Sequence, residues 1–158
     1  MKKLILTLLF FMFTGMSAIA ASPVYVASSK QPVDKVYKSV YASLEKNGFF
    51  VVFEPDIGAN ISGMAKRWGE DYNRNKLSTI RSMVFCNGWY ANQVSNTDPE
   101  MLALCPLSLT VTEKAGVVKV LFVRPDEVAK DSPAAKVTAE LTKDVIKAID
   151  EGIKAAEK

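Results

Sequence analysis

Apolar and polar positions change rhythm several times along the chain, and each change marks an element. Residues 107–113 set Leu107, Leu109 and Val111 against Ser108, Thr110 and Thr112. That period of two predicts a half-exposed strand, and Val117–Val123, beyond Lys114-Ala115-Gly116, predicts its hairpin partner. Val33, Val36, Tyr37, Val40, Tyr41 and Leu44 recur at threes and fours, one face of a helix opened by Pro32 and closed by Asn47-Gly48. Residues 49–53 (Phe-Phe-Val-Val-Phe) form an unbroken run of aromatic and β-branched side chains, which reads as a central strand buried on both faces. Asp56 predicts the cap of a helix in which Ile57, Ile61, Met64, Ala65, Trp68 and Tyr72 share a face. Gly58, Gly63 and Gly69 weaken that helix by up to ~1 kcal/mol each.

Thr79–Cys86 predicts another strand and residues 24–27 an edge strand. A short helix is expected over residues 89–94, followed by a capped turn at Asp98-Pro99-Glu100. The last element is a long amphipathic helix, capped by Ser132 and opened by Pro133. Val137, Leu141, Val145, Ile146, Ile149 and Ile153 form its apolar face, and Lys136, Glu140, Lys143 and Lys147 its wet one. The order β-α-β-α-β-α-β-β-α, undivided by a repeat or linker, predicts one α+β domain over residues 21–158. It has two layers, with helices packed on one face of a mostly antiparallel sheet.

Residues 1–20 stand outside this pattern. Lys2 and Lys3 precede an apolar run from Leu4 to Phe13, and Ser17-Ala18-Ile19-Ala20 supplies small residues where a signal peptidase cuts. The run is well short of the roughly 20 apolar residues that a membrane span requires. A cleaved signal peptide over residues 1–20 is expected, with a periplasmic protein and no membrane insertion after its removal. The whole chain carries +3, from 20 Lys and Arg against 17 Asp and Glu, and loss of Lys2 and Lys3 lowers this to +1. Such a near-neutral chain predicts no nucleic-acid partner.

The chain contains no His and two Cys. This excludes His-dependent nucleophiles, His-ligated haem and an all-cysteine zinc site within one chain. No catalytic residue, metal or cofactor is expected.

Several strings carry a family resemblance. They are Gly48-Phe49-Phe50-Val51-Val52, Met83-Val84-Phe85-Cys86-Asn87, Asp98-Pro99 before Leu104-Cys105-Pro106, and Leu109-Thr110-Val111-Thr112-Glu113 before Gly116 and Arg124-Pro125. In this order they resemble the domain of unknown function 302 family. The chain departs from the family in two places: Gly88 follows Asn87 where Pro is common, and Cys105 precedes Pro106 rather than following it. The resemblance implies a small α+β domain with helices on one face of a sheet, and no activity.

Cys86 ends one strand and Cys105 immediately precedes another. In an oxidising compartment the pair reads as a disulfide worth about 3 kcal/mol, tying down residues 89–104; separate thiols and a redox-active pair are the alternatives. Asn87, Trp89 and Tyr90, with Trp68 and Tyr72, are the candidate ligand-binding residues, because polar and aromatic groups converging at strand ends make a pocket. Against this, Asn87 also fits a helix cap and the aromatics fit core. Glu54, Asp56, Glu70 and Asp71 flank the strands and read as caps and solvated ends rather than an acid–base pair. The expected function is a non-catalytic exported module that binds a small ligand or a periplasmic partner protein, with a homodimer as one such assembly. A thiol/disulfide redox protein using Cys86 and Cys105 is the alternative.

Overall fold

The computed structural model describes residues 22–158, so the expected signal peptide lies outside the described residues. The elements follow in the order β1 (Val24–Ser29), α1 (Val33–Lys46), β2 (Phe50–Phe53), α2 (Ile57–Ser62), α3 (Ala65–Trp68) and β3 (Thr79–Cys86). After these come α4 (Gly88–Thr97), β4 (Leu107–Lys114), β5 (Val117–Val123), α5 (Pro125–Val128) and α6 (Ala135–Ala156). Short 3₁₀ helices occupy Gly69–Asp71, one turn, and Pro99–Leu104, two turns. The strands form one sheet in the order β1-β5-β4-β3-β2, every pair antiparallel. This is the α+β architecture that the sequence pattern predicts.

Alternation decides which face is buried. Met83, Phe85, Leu109, Val111, Val118, Val120 and Phe122 all project to one side and are almost fully buried. Val36, Val40 and Leu44 of α1 and Val145, Ala148 and Ile149 of α6 close over them. The β4–β5 turn consists of Ala115 and Gly116 with φ of 50° and 75°. Two successive left-handed residues match the strand twist, which keeps this hairpin tight.

The two covering helices meet at Gly152. A Cβ at that position would lie 2.6 Å from the Cα of Val40, closer than real side chains come to backbone. The absent side chain is what lets α6 touch α1. Asn47, at the end of α1, adds polar ties, donating to the Ser43 carbonyl at 2.8 Å and to Glu151 at 3.1 Å.

Three expectations need correction. β2 is an edge strand rather than a central one buried on both faces: Phe50, Val52 and Phe53 are exposed, while Val51 and the preceding Phe49 turn inward. Among the described residues α1 and α6 cover one side of the sheet, so half of that apolar run faces out. The helix expected from Asp56 to Tyr72 is broken into α2, α3 and a 3₁₀ turn. Gly63 ends α2, and Gly69, at φ 53°, ends α3 in a conformation that side chains resist. Finally, α6 starts at Ala135. Ser132 accepts the Ala134 N–H at 3.0 Å and so closes a turn ahead of the helix rather than capping it.

Candidate functional site

Because β3 and β4 are antiparallel neighbours with Phe85 opposite Leu107, the end of one and the approach to the other fall together. Cys86 and Cys105 therefore face each other, with their Sγ atoms 3.4 Å apart and both residues half-buried. The Cys105–Pro106 peptide is cis. Beside the sulfurs lies a cavity of about 30 Å³, between α4, the 99–104 turn and α6. Its walls include Tyr90, Val94, Leu104, Leu107 and Leu141, and Met101 joins the two cysteines in lining it. A seat for an organic ligand is ordinarily about 300 Å³ or more, so this space suits only a group of one or a few atoms.

Burial, reinforced by the hydrogen bond and close approach of Cys86, pushes the Cys105 thiol up to about 11. A thiol held neutral is a poor nucleophile.

Asn87 does structural work with both ends of its amide. Its Oδ1 accepts the Tyr90 N–H at 3.1 Å, capping α4, and its Nδ2 donates to the Gly48 carbonyl at 3.0 Å, tying that cap to the start of β2. Tyr90 lies parallel to Phe49 at 6.3 Å between ring centroids, and its hydroxyl donates to Asp144 at 2.6 Å. Burial first, and then that carboxylate, hold the phenol well above its ordinary range. Of the expected ligand-binding residues, Asn87 and Tyr90 line the cavity with the cysteines; Trp89, Trp68 and Tyr72 are not among its lining residues. Trp89 and Trp68 are exposed, and Tyr72 is half-buried beyond the first 3₁₀ turn.

The strand-end acids are dispersed. Asp56 caps α2 by accepting the Ala59 N–H at 2.8 Å, and Asp71 pairs with Arg74. Among the described residues no group of three or more Cys, Asp or Glu gathers at metal-binding spacing.

A second feature is the sheet face turned away from α1 and α6, which no helix covers among the described residues. Val24 and Val26 of β1, Val123 of β5, and Phe50, Val52 and Phe53 of β2 are 36–65% exposed. They form two apolar margins on either side of β4, whose Ser108, Thr110 and Thr112 share this face, and Thr110 hydrogen-bonds the buried Ser82 hydroxyl at 2.8 Å. Alternation along β1 and β5 carried a sequence signal for this face, in the valines opposite Ala27 and Val120. Met101 carried none, since only the folded 99–104 turn brings it to the cysteines.

The family model described as "Domain of unknown function DUF302" matches residues 24–153. The crystal structure of an uncharacterized conserved protein DUF302 from Bacillus stearothermophilus shares the fold, with a TM-score of 0.71 at 19% identity. The match covers 83% of this chain and 98% of that one. Curated proteins gave no match.

Proposed function

The chain belongs to the DUF302 family, and from its sequence and geometry we propose that it is an exported, non-catalytic accessory module that works as a homodimer joined through the open face of its sheet. Export is supported by the charged, apolar and small-residue segments of residues 1–20. The observation that carries the docking role is the open face, with six large apolar side chains left to water. Exposed large apolar side chains gathered on one face of a sheet, with polar groups between them, favour an interaction site.

A second copy is the occupant we assign. Five strands about 4.8 Å apart and about six residues long, at about 3.3 Å each, make a face of roughly 24 by 20 Å. Covering it on two copies removes about 1,000 Å² of surface, the threshold for a specific interface. A two-fold axis parallel to the strands would lay the β1–β5 margin of one copy over the β2 margin of the other. The β4 hydroxyls would then face each other. Sedimentation equilibrium of the mature chain should show dimers with a dissociation constant in the micromolar range. Val26→Lys combined with Phe53→Lys should give monomers with unchanged thermal melting, since both residues are exposed. A wild-type monomer at about 100 μM would overturn the assignment.

The 3.4 Å approach of the two sulfurs favours a second reading, a thiol redox centre. The poorly acidic Cys105 thiol opposes it. In an oxidising compartment we take the pair to close into a structural disulfide, its two protons and two electrons passing to a disulfide donor. The bond would tie α4 and the 99–104 turn to the sheet.

A further inference from the structure

We propose that Cys86, Cys105 and Met101 form a three-sulfur seat for a soft monovalent metal ion of the Cu(I) type, open while the two cysteines are thiols. The inference concerns the cavity and stands apart from the dimer reading. Three sulfur-bearing side chains line one space of about 30 Å³, enough for a bare ion and too small for a hydrated one. The remaining walls are largely apolar, including Val94, Leu104, Leu107 and Leu141, and the oxygens of Asn87, Tyr90 and Thr138, which also line the space, are already engaged in hydrogen bonds of their own.

Thiolate and thioether donors select soft metals. Zn²⁺ in structural sites takes four ligands, whereas three sulfur-bearing residues line this cavity. With metal–sulfur bonds of about 2.3 Å, trigonal binding sets the sulfurs about 4.0 Å apart. The cysteine sulfurs stand at 3.4 Å. A movement of about 0.3 Å by each reaches the bound geometry, well within one rotamer well.

On binding, two S–H bonds break, two metal–thiolate bonds form, and two protons leave to solvent. Met101 adds a lone pair, and no atom changes oxidation state. The bound group carries one net negative charge. It would sit beside the first turn of α4, whose cap Asn87 directly follows Cys86, and the positive end of that helix favours the charge. A disulfide removes both thiolates, so metal seat and disulfide are alternative states of one pair.

The test is an anaerobic competition for Cu(I) between the reduced mature chain and the chelator bicinchoninate. The chain should withdraw one Cu(I), and after oxidation with diamide it should withdraw none. Met101→Leu conserves size and apolarity, so it should melt like wild type yet hold Cu(I) about tenfold more weakly or worse. Three results would each overturn the proposal: Cu(I) left on the chelator by the wild type, equal affinity in Met101→Leu, or displacement of Cu(I) by an equal concentration of Zn²⁺.

Discussion

Burial takes water away from Cys105 and leaves Cys86 as its side-chain hydrogen-bond partner, so the neutral thiol is the favoured form. With the folded value raised to about 11, the stabilisation is complete below the ordinary thiol range and is lost as pH climbs through that value. Reactivity should follow. At pH 8 such a thiol is ionised about a hundredfold less than a free one. In the reduced protein, iodoacetamide should therefore modify Cys105 about a hundredfold more slowly than in the urea-unfolded chain, as read by peptide mass spectrometry. A ratio near one would mean an acidic thiol and would return the redox reading. At this scale the sequence was informative about Asn87, whose place between a strand and a helix is that of a cap. It was silent about Met101, because a methionine in a short turn carries no sign of what the turn is folded against.

Among the elements, the contact of α1 with α6 has the clearest energetic test. Gly152→Ala should gain about 1 kcal/mol from helix propensity. It also drives a methyl group to 2.6 Å from the Val40 backbone, which cannot swing aside as a side chain would. Overpacking of this kind costs about 1–3 kcal/mol and should win, lowering the midpoint of urea unfolding with little change in slope. A more stable variant would show that the helices can part freely. In the periodic pattern of α6 this glycine reads only as a weak helix former, because spacing along one helix says nothing about the distance to another. The same limit explains β2. Its unbroken apolar run signals strand, but whether one face or two are covered depends on strand order and on where the helices lie. By contrast α1, β3 and the β4–β5 hairpin were legible almost to the residue, since their periodicities and turn residues are local properties. The stretch from Ile57 to Tyr72 was not: its apolar spacing is helical, but its glycines end each turn before a helix can grow.

On the scale of the whole molecule, the sheet is built mostly from strands close in sequence, with one exception. β1 lies against β5, so Val24 meets Val123. Closing a loop of about a hundred residues costs about 4 kcal/mol of chain entropy. The β4–β5 hairpin closes over two residues, Ala115 and Gly116, at far less cost. The first strand made should thus be the last one placed. Pulse-labelled hydrogen exchange during refolding should show the amides of β3, β4 and β5 protected before those of β1; simultaneous protection would contradict this order. On the export we propose, the delay has a use: the stretch next to the proposed signal peptide would wait for a partner that arrives only near the end of synthesis, and until then would stay loose enough to be pulled through.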